Sequence, residues 1–187
     1  MQKLSTTTLI LILLTAMSGW AQKVSVDMGL YSIKAVGPSG SSSGTINLST
    51  PGTYSLSAGF SIRPQIELSP GYTVFYSKIF RGDMGFGPDF YLHYFPLTTA
   101  SGLRVLQNDV NYFELEQLRP FVSISFHQRQ FQSVQSSYSG FGFDLGSELQ
   151  VSTATSVRVL MRTMSLAGPS GASMNYMDVM LGYQLHF

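Results

Sequence analysis

From residue 22 onward the chain alternates apolar and polar residues one for one, run after run, and this period of two is what most constrains its fold. Successive side chains of a β-strand point to opposite faces, so strict alternation describes a strand with two unlike environments. The first run sets Val24, Val26, Met28 and Leu30 against Ser25, Asp27, Gly29 and Tyr31. Similar runs carry their apolar residues on even positions from Leu56 to Ile62, Ile66 to Tyr76, Met84 to Tyr94 and Leu118 to Phe126. The phase then moves to odd positions, from Phe141 to Leu149, Val157 to Met161 and Met177 to Phe187. Eight such runs of roughly ten residues match strands tilted across a bilayer, and an even number returns the chain to the side where it began.

The position of the charges says which face is enclosed. Asp27, Arg63, Glu67, Asp89, Arg119, Asp144, Glu148, Arg158, Arg162 and Asp178 all fall on the polar parity. With the faces reversed, each basic group near the midplane of a membrane would cost on the order of 2 kcal/mol and each acid somewhat less. Together that rivals the stability of a whole domain. The sequence therefore predicts an all-β fold, an antiparallel up-and-down eight-stranded transmembrane β-barrel, with these ten residues forming a charge network in its lumen. A soluble barrel, apolar inside, would need an outer surface rich in charge. Charged residues make up only 11% of the chain, and the other parity carries Phe60, Tyr72, Tyr76, Phe86, Phe90, Tyr94, Phe126, Phe141, Phe143 and Tyr183. Some of these suit the aromatic girdles of a membrane barrel.

Two connections are ambiguous in sequence. Arg63-Pro64 and Ser69-Pro70-Gly71 could each turn the second strand into the third; the first gives strands of equal length and is preferred. Residues 34–53 are rich in Gly, Ser and Pro and are expected to form a long external loop, whereas Ser152 to Ser156 reads as a short inner turn. The segment 96–117 fits either a short helix or an extension of the fifth strand.

The first 21 residues read as a secretory signal peptide: Lys3, an apolar run from Leu9 to Leu14, and the small residues Gly19 and Ala21 before a cut between Ala21 and Gln22. The apolar run is far shorter than the roughly 20 residues a membrane helix needs. One domain is then expected, residues 22–187. The formal charge is +1, which argues against nucleic acid as a partner. The absence of cysteine excludes disulfides, thiolate metal sites and a lipidated cysteine.

Chemistry-bearing residues are few. Ser123, Ser125 and His127 share one face of a strand, but that face is the lumen, and chemistry on lipid needs an opening to the membrane. His93 near Asp89 and His186 near Asp178 lack the spacing of a metal site. No catalytic, cofactor-binding or metal-binding residue is assigned. The large side chains Phe75, Tyr91, Phe121 and Tyr176 stand on the polar parity and would fill a narrow lumen.

The last residues, Gly182-Tyr183-Gln184-Leu185-His186-Phe187, resemble the C-terminal assembly signal of outer-membrane barrels: glycine, an apolar residue, and a terminal aromatic. Gly182, Leu185 and Phe187 carry the match; Met180 stands where a polar residue is usual. With the leader and the eight runs, the chain resembles the OmpA-like and OmpX-like small barrels. That resemblance implies insertion by the barrel-assembly machinery and an address in the bacterial outer membrane, but no particular function. The expected role is structural or surface-interacting, with a plugged, salt-bridged lumen. The expected partners are outer-membrane lipid and an extracellular ligand held by the loops, and the expected state is a monomer without cofactor. A narrow porin-like channel and a lipid-modifying enzyme are the alternatives.

Overall fold

The structure is a computed structural model that describes residues 22–37, 43–46, 51–63, 65–77, 83–97, 118–131, 136–152 and 154–187. Residues 1–21, which the sequence reads as a signal peptide, and residues 98–117 of the open segment lie outside the described residues. The described strands are β1 (Lys23–Val36), β2 (Ser43–Ile46), β3 (Pro51–Arg63), β4 (Ile66–Ser77), β5 (Asp83–Tyr94), β6 (Leu118–Phe131), β7 (Ser137–Ser152), β8 (Thr155–Ala167) and β9 (Ser173–His186). Each long strand pairs antiparallel with the next, and β1 also pairs with β9 from Lys23↔His186 to Val36↔Ser173, which closes the sheet into a barrel. Closure leaves the eight long strands without free edges, so every ladder is satisfied internally, as a bilayer demands.

The ninth strand corrects the sequence reading. Residues 34–53 are not one external loop: β1 continues to Val36, β2 pairs with it from Val36↔Ser43 to Ile33↔Ile46, and β3 already begins at Pro51. Ladder bonds belong to the backbone, so a Gly- and Ser-rich stretch can extend a hairpin without showing alternation. The turn between β3 and β4 does fall at Arg63 to Ile66, leaving Pro70 inside β4. Pro70 is tolerated because the β3–β4 register passes from Ser57↔Gly71 to Phe60↔Leu68 and skips it. Pro88 sits at the matching lapse between β5 and β6, where the pairing passes from Phe86↔Gln130 to Asp89↔His127 in one register and skips it. A residue without an N–H fits where the ladder asks for none.

Burial follows the alternation closely. Along β6, Phe121, Ser123, Ser125, His127, Arg129 and Phe131 are buried while Ile124, Phe126 and Gln128 are exposed. The exposed apolar residues, among them Met28, Leu92, Ile124, Phe143, Val159 and Leu181, form a continuous coat, so the barrel is inside-out relative to a soluble one. A wall of this kind is stable only against acyl chains. Ile124 is 62% exposed on that wall. Replacing it with Arg is expected to destabilise the barrel in lipid vesicles by about 2–3 kcal/mol, as read by urea titration. An unchanged midpoint would mean that this face does not meet lipid.

The interior is packed in layers. Toward the β2 end lies a cluster of Tyr31, Ile33, Phe75, Phe131, Met164, Leu166, Met174 and Tyr176. A smaller cluster of Phe95, Phe121, Leu160 and Met180 lies toward the end that holds both termini of the barrel. Glycines make this packing possible where a ring lies over its ladder partner on the adjacent strand, Phe75 over Gly85 and Phe121 over Gly146. A Cβ on Gly85 would stand 2.2 Å from the Phe75 ring, and one on Gly146 would stand 2.3 Å from the Phe121 ring.

Candidate functional site

The polar lumen between these clusters holds the buried charged side chains of the described residues. It arises because seven of the long strands send charged residues inward at matching heights: Asp27 from β1, Glu67 from β4, Asp89 from β5, Arg129 from β6, Asp144 from β7, Arg158 and Arg162 from β8, and Asp178 from β9; the eighth, β3, adds the hydroxyls of Thr53, Ser55 and Ser57. Ladder register sets these heights; Arg162 lies opposite both Asp144 and Asp178, and Arg158 lies opposite Glu148 and Gly182.

At the terminal end, Lys23 Nζ lies 2.9 Å from Glu67 Oε2 and 2.5 Å from Glu148 Oε1, and Arg119 Nη1 lies 3.5 Å from Glu148 Oε2. Gln184 Nε2 donates to Ser25 Oγ at 2.8 Å and to Glu148 Oε1 at 3.0 Å, and Ser69 Oγ donates to Glu67 Oε1 at 2.9 Å. The Phe95 ring lies under two cations, 4.2 Å from the Arg119 guanidinium carbon and 5.3 Å from Lys23 Nζ. Above this, Arg158 grips Asp27 with its planar fork, Nε to Oδ1 at 2.9 Å and Nη2 to Oδ2 at 2.5 Å. Two parallel charge-assisted bonds fix orientation as well as charge. Gly182 faces this pair from β9, and a Cβ there would stand 1.9 Å from Asp27 Oδ1.

The central tier is the most enclosed. Arg162 donates from Nε to both Asp178 oxygens at 3.1 and 3.2 Å, from Nη2 to Asp178 Oδ2, and from Nη1 to the Tyr91 hydroxyl. It also lies 3.7 Å from Asp89 Oδ2. Asp89 in turn accepts from Arg129 Nη1 at 2.6 Å, from the Thr73 hydroxyl, and from His127 Nδ1 at 2.6 Å. With Nδ1–H given to the carboxylate, a neutral His127 accepts the Ser125 hydroxyl at Nε2, 2.8 Å away. Arg129, Arg162, Asp89, Asp178 and His127 are all fully enclosed.

Of the ten residues singled out by parity, eight are buried in this lumen: Asp27, Glu67, Asp89, Asp144, Glu148, Arg158, Arg162 and Asp178. Arg119 is partly buried at the terminal end, with 15% side-chain exposure. Arg63 departs from the expectation: it is exposed at the end of β3, where a register shift between Ser61 and Arg63 breaks the alternation that put it inside. Parity alone misses Lys23 and Arg129, although both share the odd phase of their strands; each lies beyond the stretch whose alternation is obvious. Gly182 lies against the Asp27 pair, while Leu185 and Phe187 are exposed on the outer side.

Among the described residues the lumen holds five cations, Lys23, Arg119, Arg129, Arg158 and Arg162, and six carboxylates, Asp27, Glu67, Asp89, Asp144, Glu148 and Asp178. The odd one is Asp144, which forms no ion pair among the described residues. Asp144→Asn is therefore expected to change stability by no more than about 1 kcal/mol, whereas Asp27→Asn, which strands Arg158, should cost several. Urea midpoints of the two variants in the same vesicles check this; equal losses would show that Asp144 is a full partner in the network.

No protein-family model matches the chain, and no curated protein matches it by sequence. Among solved structures it is similar to Neisserial surface protein A, with 14% identity and a TM-score of 0.58 over 88% of this chain and 96% of that one. Looser similarities are to OprG of Pseudomonas aeruginosa (10% identity, TM-score 0.47, 89% of this chain and 97% of that one) and to the N-terminal β-barrel domain of OprF of the same organism (12%, 0.47, 89% and 98%). At such identities the likeness is one of fold. The chain therefore has the fold of the small eight-stranded outer-membrane β-barrels, together with the apolar wall that an outer membrane requires.

Proposed function

We propose that the protein acts in the bacterial outer membrane as a plugged barrel, a monomer that contributes envelope structure and presents its connecting loops to a ligand outside the cell. The observation that carries this reading is the filled lumen. Tyr31 and Tyr176 stack at 5.6 Å between ring centroids, and Phe75 meets both edge-on, across the very end where an open passage would have to emerge. Beneath them the ion pairs leave their charged atoms facing one another rather than a water column. In planar bilayers the purified barrel is expected to give no steady current; a reproducible single-channel conductance would replace this reading with that of a narrow channel.

Export and processing belong to the same reading. The mature chain starts at Gln22, which is tied into the barrel: its N–H donates to Gly59 O at 3.0 Å, its carbonyl accepts from Phe187 N at 3.0 Å, and its Oε1 accepts from Ser61 N at 3.1 Å. The barrel-assembly machinery would read Gly182, Leu185 and Phe187 during insertion.

One observation favours an enzyme instead. Asp89, His127 and Ser125 stand in the hydrogen-bonded order of a serine hydrolase relay. Against it, Ser125 is 3% exposed and Asp89 is also held by Arg129 and Arg162, so the imidazole is one of several groups fixed to that carboxylate. A fluorophosphonate probe is expected to leave the folded protein unlabelled; labelling that vanishes in Ser125→Ala would establish the hydrolase reading.

A further inference from the structure

The outward faces of β7, β8, β9 and β1 change character along the barrel. One ladder row carries Leu145, Met161, Val179 and Leu30 side by side, an apolar band facing lipid. The next row toward the β2 end is Phe143, Thr163, Met177 and Ser32, and the one after it is Phe141, Ser165, Asn175 and Lys34. A groove of about 590 Å³ crosses these two rows. Thr163, Ser165, Asn175 and Lys34 are exposed along it, and Phe141, 75% exposed, and Phe143, 49% exposed, form its flank. No ion pair to Lys34 is formed among the described residues.

A lysine on the outer wall cannot rest among acyl chains; it marks the level where the hydrocarbon gives way to headgroups. The anion available to it at that level is the phosphate of a lipid, and each basic group near such a surface contributes about 1 kcal/mol of attraction. Adjacent strands stand about 5 Å apart, so Lys34, Asn175 and Ser165 span roughly 10 Å, the breadth of a phosphorylated headgroup. We propose that this groove is a lipid-binding site. The lipid phosphate pairs with Lys34 Nζ and accepts from the Asn175 amide and Ser165 hydroxyl, and an acyl chain descends along Phe141, Phe143 and Met177 to the apolar rows below. The wall's orientation toward the bilayer is what selects a lipid rather than a soluble anion.

Native mass spectrometry of the full mature barrel released from nonionic detergent tests this, with phosphatidic acid and the diacylglycerol of the same chains as probes. Wild-type protein should retain at least about tenfold more phosphatidic acid than diacylglycerol. Lys34→Glu should lose most of that preference and Lys34→Arg should keep it, while Arg63→Glu, which removes an exposed cation at the opposite end, should leave it intact. Asn175→Leu, expected to lower retention about threefold, serves if Lys34→Glu fails to fold. Equal retention of the two lipids, or an undiminished preference in Lys34→Glu or in its substitute Asn175→Leu, would overturn the proposal. Displacement of bound phosphatidic acid by millimolar inorganic phosphate would also overturn it, since that behaviour belongs to a free-anion site.

Discussion

Arg162→Met is expected to lower the stability of the folded barrel by about 3–5 kcal/mol, because it leaves an enclosed carboxylate without its cation. Arg162 is fully buried and binds Asp178 through two nitrogens, Tyr91 through a third, and approaches Asp89 at 3.7 Å. Asp178 has no exposure through which water could replace the guanidinium. Methionine fills much of the volume but supplies no donor, so the loss is electrostatic rather than a cavity effect. The informative companion is Arg162→Met with Asp178→Leu. Removing both partners takes away the stranded charge, and the double variant should regain at least half of the loss, since the net contribution of a buried pair beyond its hydrophobic replacement is small. Urea titration in lipid vesicles, followed by the mobility difference between boiled and unboiled samples on gels, gives both numbers. A single-variant loss below about 1 kcal/mol would mean that water reaches this tier, and the plugged lumen would have to be abandoned.

Gly182→Ala is the second large effect, about 3 kcal/mol, and it separates two roles for one residue. The added methyl would lie 1.9 Å from Asp27 Oδ1, so Asp27 must leave the fork of Arg158 or the β9 backbone must move. Overpacking alone typically costs about 1–3 kcal/mol, and loosening a buried bidentate pair adds to that. This cost is intrinsic to the folded barrel and should appear when purified protein refolds into vesicles with no cellular machinery present. Leu185 and Phe187 are 43% and 64% exposed on the outer side, so Leu185→Ser and Phe187→Ser should change that in vitro stability by less than Gly182→Ala does. If Gly182→Ala refolds with wild-type stability, the glycine serves recognition alone and the packing account of it is wrong.

Much of the wall is legible in the run of residues itself. Met28, Phe90, Ile124, Phe143 and Leu181 fall on the outer parity by alternation alone, and all are exposed. The inward placement of eight charged residues follows from the same parity. The misplacements share a cause. Arg63 stands at a register shift, and parity carries no information once a bulge adds a residue to one strand. β2 lies in a stretch whose Gly and Ser residues carry no hydrophobic signal, although its backbone pairs normally. The groove at Lys34 leaves no linear trace because its four residues in a row come from four strands, and adjacency across a barrel cannot be read from a linear pattern.

The sequence by itself determined which face of each strand meets lipid, because a period of two leaves a strand only two choices and the cost of burying charge in hydrocarbon removes one of them. Only the tertiary structure decided which charge meets which. Partners such as Lys23 and Glu148, or Arg158 and Asp27, are separated by 125 and 131 positions in the chain and are brought together by ladder register and barrel closure. Those depend on the sum of all the strand pairings, a quantity that no single run of residues contains.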